Sequence, residues 1–206
     1  MKKLVLASLL ALGTTTLLAG CGLIPAQTVA NPLGLKDAVM TSSVLSTTSS
    51  SVSTRVPGTG TANVSATFAD FAPLPLTPAK ADITLELANA TFSQGCAAAA
   101  GQTSIQITVS NIVVNLSDDT TKPDRTLSAT LPTVSFSVNP TTGVISGLSA
   151  SDLKFSFADL GKAINILTST PTPNTATVTS NIATSPALPG CTVSIKLGAG
   201  NGIFSF

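Results

Sequence analysis

The chain contains no histidine, no tryptophan and no tyrosine, and only 9% of its residues are charged. Each absence removes a class of chemistry. Without histidine the usual neutral-pH general base is missing, which excludes Ser–His and Cys–His nucleophilic machinery. Histidine-ligated zinc is excluded with it. The net charge is +1, and Lys2 and Lys3 are two of only ten basic residues, leaving eight against nine acidic ones. That balance makes no electrostatic footprint for nucleic acid. No cofactor motif is present, so none is expected. What the chain does have is 43% hydrophobic residues, with Ser, Thr, Asn and Gly making up much of the rest. It can therefore bury a core, unlike a charged disordered chain. Its Thr, Val and Ile suit a pleated, half-buried surface.

The first residues, MKKLVLASLLALGTTTLLAGC, run from two lysines through an apolar stretch to small residues before Cys21. This is the plan of a secretory signal peptide over 1–20. The apolar run is too short and too interrupted by threonine for a membrane span. Leu18-Ala19-Gly20-Cys21 resembles the lipobox of bacterial lipoproteins. The resemblance implies cleavage before Cys21, diacylation of its thiol and acylation of the new amino terminus with palmitate-class chains. Each buried CH₂ adds about 0.8 kcal/mol, so such an anchor holds firmly. Gly22, where a retention signal would be Asp, implies sorting to the outer membrane in bacteria that sort by this position. If lipid takes Cys21, Cys96 and Cys191 remain. In an oxidising compartment they read as one disulfide, with two buried free thiols as the alternative.

Residues 21–60, with TSSVLSTTSSSVSTRVPGTG, are rich in Ser, Thr, Gly and Pro. They read as a flexible tether with room for one short docked element near Leu33–Leu45. Residues 61–206 read as a single all-β domain, an antiparallel sandwich or open barrel-like sheet with at most one short helix. Period-two alternation marks Val64–Phe68, Ile83–Leu87, Ile105–Leu116, Leu127–Val138, Leu153–Phe157 and Val193–Leu197. Ala158–Leu167 is the one candidate helix, with Leu160, Ile164 and Leu167 on one side. The ending GIFSF reads as a last strand packed by Ile203, Phe204 and Phe206. A membrane barrel would carry Tyr and Trp girdles that are missing here.

Within VSNIVVNL the alternation changes phase: Ile105, Ile107 and Val109 are odd, Ile112, Val114 and Leu116 even. LSATLPTVSFSV mirrors the change, from Leu127, Ala129 and Leu131 to Val134, Phe136 and Val138. Antiparallel pairing with partner numbers summing to 243 matches all six apolar pairs and puts Asp118 opposite Arg125. The pattern predicts a long hairpin over 105–138 whose apolar side switches face at Ser110-Asn111 and Pro132-Thr133. Such a ribbon either crosses from one sheet to another or bends around a core. Downstream, NPTTGVISG makes a tight turn with Gly143 free to take positive φ. From there to Asp159 the chain resembles, over about twenty residues (138–159), bacterial immunoglobulin-like domains. That resemblance implies a sandwich and says nothing about ligands.

Chemistry is sparse. Asp118, Asp119 and Asp124 flank a tight loop and are the only metal candidates; local turn bonding accounts for aspartates there equally well. Asp82 and Glu86 share the polar face of one strand, a solvated face before it is a paired-carboxylate site. The expected function is an envelope-anchored, non-enzymatic binding or structural module. Its partners would be the membrane, through Cys21, and an envelope protein, polymer or lipid. Two other readings are carried forward: a carrier holding a hydrophobic ligand in a cavity, and a hydrolase with a Ser–Lys or carboxylate site.

Overall fold

The computed structural model describes residues 24–46, 58–68, 74–94, 96, 101–119, 125–168 and 174–206. In chain order the strands are β1 (Gln27–Ala30), β2 (Val39–Ser42), β3 (Gly58–Phe68), β4 (Lys80–Thr84), β5 (Leu87–Phe92), β6 (Ile105–Ser117), β7 (Thr126–Leu131), β8 (Val134–Val138), β9 (Ile145–Ser146), β10 (Lys154–Phe155), β11 (Asn174–Ser185), β12 (Val193–Leu197) and β13 (Asn201–Ser205). One helix, α1 (Leu160–Leu167), lies between β10 and β11. Asp159 caps it, its carboxylate accepting from the Lys162 amide at 2.8 Å, and Ala163, Ile166 and Leu167 are buried. The fold is the expected all-β one, with the helix where the sequence placed it.

Two antiparallel sheets share one hydrophobic core. The smaller has the order β1-β13-β4-β10, and the larger runs β5-β12-β2-β3-β11-β6-β8-β9, with β7 also on β6. The larger sheet curls until its ends meet. The Ala90 amide of β5 donates to the Gly143 carbonyl in the β8–β9 turn at 3.0 Å, so the sheet is a nearly closed barrel. The turn is built for this contact. Asn139 Oδ1 accepts from the Thr141 and Thr142 amides at 2.9 and 3.0 Å, and Gly143 sits at φ +73°. A Cβ on Gly143 would meet the Ala90 carbonyl at 3.0 Å. Glycine is needed here for both conformation and clearance.

The hairpin pairs as the sequence implies. Ile105↔Val138, Ile107↔Phe136, Val109↔Val134, Ile112↔Leu131, Val114↔Ala129 and Leu116↔Leu127 are all direct partners. The switch of face is corrected. All six β6 members of these pairs are buried, on both sides of the phase change. On its other flank β6 pairs with β11, whose alternation never breaks. There the register shifts by one residue between Thr179↔Val113 and Asn181↔Ser110. Asn111 is the extra residue, at φ +49° and exposed, as are Pro132 and Thr133 opposite it. A bulge absorbs one residue, so odd positions before it and even positions after it face the same interior. Asparagine tolerates this left-handed backbone better than most residues.

This reading has a direct test. Deleting Asn111 makes the β6 alternation regular, and deleting Pro132 does the same for β7–β8. The double deletion is expected to fold, with β content unchanged by far-ultraviolet circular dichroism. Either single deletion leaves two residues opposite one and should cost about 1–3 kcal/mol in urea unfolding. An unfolded double deletion with milder single ones would restore a true change of face.

A ribbon crossing between sheets does exist, elsewhere in the chain. Ile83, Leu85 and Leu87 do not form one strand: β4 lies in the small sheet and β5 in the barrel, joined through Leu85-Glu86. Beside this crossing β12 passes to β13 through Gly198-Ala199-Gly200. The Gly198 amide donates to the Glu86 carbonyl at 2.8 Å. Gly200, at φ +57°, has no room for a Cβ against the Thr84 carbonyl.

The expected tether over 21–60 is also corrected. Residues 24–46 belong to the domain: β1 pairs with β13, and β2 is inserted between β12 and β3. Leu33, Leu35, Met40 and Leu45 are each at most 3% exposed. Residues 47–57 lie outside the described residues. Serine and threonine suggested a linker here because they are also what this protein puts on the outer side of its strands.

Candidate functional site

The outer wall of the barrel is the most uniform surface in the molecule. On β3 the outward residues are Thr59, Thr61, Asn63, Ser65 and Thr67, and opposite them on β11 stand Ala183, Asn181, Thr179, Thr177 and Thr175. Asn115 continues the row onto β6 and Ser128 onto β7. Neighbouring hydroxyls bond to one another across strands. Ser65 and Thr177 are 3.1 Å apart, Thr41 and Ser194 3.0 Å, Thr108 and Ser135 2.9 Å, and Ser128 donates to Asn115 Oδ1 at 2.5 Å. Such cross-strand pairs stabilise the sheet. They also leave hydroxyl lone pairs facing solvent. Lys196 is the single charged residue in the strands of this sheet. The wall is polar, neutral, and free of any side chain that titrates near neutrality. Apolar-in and hydroxyl-out is the reverse of a membrane-spanning barrel, whose outer band is apolar.

Among the described residues the interior is closely packed. Ile105, Ile107, Leu116, Phe136, Ile182 and Ile195 are each no more than 2% exposed and form part of one continuous cluster. Smaller residues on the central strands, Ala62, Ala176 and Ser180, let the walls approach. Of the four buried hydroxyls among the described residues, two have partners: Ser42 Oγ accepts from the Val193 amide at 2.9 Å, and Ser180 Oγ lies 3.5 Å from Met40 Sδ, whereas Ser117 and Thr184 make no hydrogen bond through theirs.

The acidic candidates do not gather. Asp118 is buried, with its side chain 0% exposed, and takes a bidentate contact from Arg125, whose Nε donates to Oδ1 at 2.8 Å. The pairing expected from the hairpin register is thus present and dry on the carboxylate side. Asp119 is half-buried, and Asp124 lies outside the described residues. No group of three potential ligands is found among the described residues. Asp82 and Glu86 part at the sheet crossing. Asp82 holds Lys80 at 2.8 Å and Lys154 at 2.9 Å across β4 and β10. The hydrogen bond from Lys80 lowers its carboxyl pKa, burial opposes this, and Lys154 adds to the lowering. Glu86 instead lies over Gly198 and accepts from the Gly200 amide at 3.2 Å. Lys196 is engaged by Asp37 at 2.7 Å, and its hydrogen bond lowers the Asp37 pKa. Three lysines are therefore held by carboxylates rather than aimed at a serine.

Substituting Asp118 by Ala should be among the more damaging single changes. It removes the buried carboxylate that Arg125 binds, for a loss of about 2–3 kcal/mol. Arg125→Ala should cost at least as much, because it leaves the dry carboxylate without its guanidinium. Urea midpoints of the two variants give the comparison.

Cys96 and Cys191 form a disulfide, with Cα atoms 5.4 Å apart, linking the chain just beyond β5 to the chain just before β12. Cys21 lies outside the described residues. No described helix is long and apolar enough to cross a membrane. Taken together, fold and surface define a class: an antiparallel β protein with a nearly closed, closely packed barrel and a neutral hydroxyl exterior. No family model, curated protein or solved structure matches the chain.

Proposed function

We propose that this is an envelope lipoprotein, acylated at Cys21, whose β domain acts as a non-enzymatic binding or structural module. The observation that carries the binding role is the neutral wall of paired hydroxyls and amides. A surface depleted of charge, with adaptable hydrogen-bonding groups, suits contact with an uncharged polymer or another β protein. The closely packed interior supports this reading over the carrier, which needs room for its ligand. The engagement of Asp82, Asp37, Lys80, Lys154 and Lys196 in ion pairs supports it over a Ser–Lys or carboxylate hydrolase. The order of charged, apolar and small residues before Cys21 supports export and anchoring. Outer-membrane sorting follows from Gly22 where a bacterium has that membrane.

Intact-mass measurement of the protein from native membranes tests the anchor. The expected mass is that of a chain beginning at Cys21 plus three acyl chains and a glycerol. Cys21→Ala should move the protein from the membrane to the soluble fraction. Crosslinking in intact cells followed by mass spectrometry tests the wall. The expected result is a stoichiometric envelope component joined through β3 and β11 peptides. A co-purified lipid in its place would favour the carrier.

A further inference from the structure

The end of the small sheet that receives the N-terminus has a surface unlike the barrel wall. β1 begins at Gln27, opposite Phe204 near the end of β13. The Ala79 amide, just before β4, donates to the Ser205 carbonyl at 2.8 Å. The start of β1, the end of β13 and the start of β4 therefore lie side by side. Ile24, three residues before β1, is 39% exposed, and Leu76, three residues before Ala79, is 55% exposed. Ile203, on the outer face of β13 beside Asp82 and Thr28, is 36% exposed. Six large apolar side chains are exposed among the described residues, and half of them are here. Lys80 and Lys154 flank them on the same sheet, 63% and 43% exposed, with Asp82 between.

We infer that this end of the small sheet is a membrane seat, pressed into the headgroup layer of the bilayer that holds Cys21. The inference rests on the acylation proposed above and deepens it. Its ground is reach. Only two residues separate Cys21 from Ile24, and at full extension the three steps between them span about 11 Å. With residues 24–46 folded into both sheets, little slack remains to hold the domain away. A lipidated Cys21 lies at the acyl–headgroup boundary, so Ile24 enters or borders the headgroup layer, and Leu76 follows through the strand pairing. Apolar tips flanked by lysines suit that layer: the tips reach the acyl boundary and the ammonium groups meet phosphates. The barrel wall is then carried on the far side of the ribbon crossing, open to the periplasmic or external partner.

The test uses the full mature protein, purified from membranes and returned to phosphatidylethanolamine–phosphatidylglycerol vesicles containing a headgroup-linked quencher. Leu76→Cys and, separately, Val144→Cys carry an environment-sensitive fluorophore. Val144, at 60%, is at least as exposed as Leu76 and lies on the turn that closes the barrel. Intact mass is recorded on each preparation. The expected result is an acylated Cys21 with quenching several-fold stronger at position 76 than at 144. An acylated protein with equal or absent quenching at the two positions overturns the seat and leaves the anchor standing. A mature chain with unmodified Cys21 removes both, and the mass alone reports it.

Discussion

Replacing Cys96 and Cys191 together by alanine is expected to lower the unfolding free energy by about 4–5 kcal/mol. The bond joins residues 95 apart in sequence, so its loss restores to the unfolded chain the freedom of a loop nearly half its length. The folded state gives little back. β5 and β12 remain paired from Val193↔Phe92 onward, and the Cys191 site is buried and small enough for alanine to fill in part. Against a total of about 5–15 kcal/mol for ordinary domains, the change brings the protein close to the edge of stability. With no Trp or Tyr to report, urea unfolding should be followed by far-ultraviolet circular dichroism, oxidised and reduced. An unchanged midpoint on reduction would mean that β5 and β12 are already held together in the unfolded ensemble.

Phe136→Ala is the second large effect, at about 3–5 kcal/mol. Phe136 is 2% exposed and stands opposite Ile107, which in turn pairs with Thr184 of β11. It thus fills the barrel from the wall that also contributes the closing turn. Removing the ring opens a cavity among side chains from three strands, which a closed sheet cannot collapse to fill. Ser137→Ala is the control: the next residue, on the other side of the strand, should change stability by less than about 0.5 kcal/mol. Equal losses at 136 and 137 would contradict the facing assigned to β8.

The hairpin was legible because its signal is redundant. Two runs carry mirrored phase breaks, and one pairing sum satisfies six apolar pairs and a charge pair together. What a phase break means was not legible. A change of face and a bulge leave the same mark in one strand, and only the unbroken alternation of β11, with the register shift on β6 beside it, separates them. β11 itself carries a weak signal. Its inward positions are Asn174, Ala176, Val178, Ser180, Ile182 and Thr184, and only two of them are large and apolar. The alternating threonines on its outer side are the mark that identifies it. β1 and β2 were hidden for a related reason. Short strands that show serine and threonine outward have the composition of a linker, and their few buried leucines matter only once partners are present.

Sequence alone determined the all-β class, the short helix within 158–167, the hairpin register, the Asp118–Arg125 pair and the turn at Gly143. All of these are local, or joined by one short loop, so pattern and pairing over a few dozen residues suffice. Tertiary structure decided that the barrel nearly closes through Ala90 and Gly143. It decided too that the β4–β5 and β12–β13 ribbon, rather than the long hairpin, passes between sheets, and that residues 24–46 belong to the domain. Those outcomes depend on contacts across most of the chain. Their free energy comes from burying one common core, and no single segment carries a record of it.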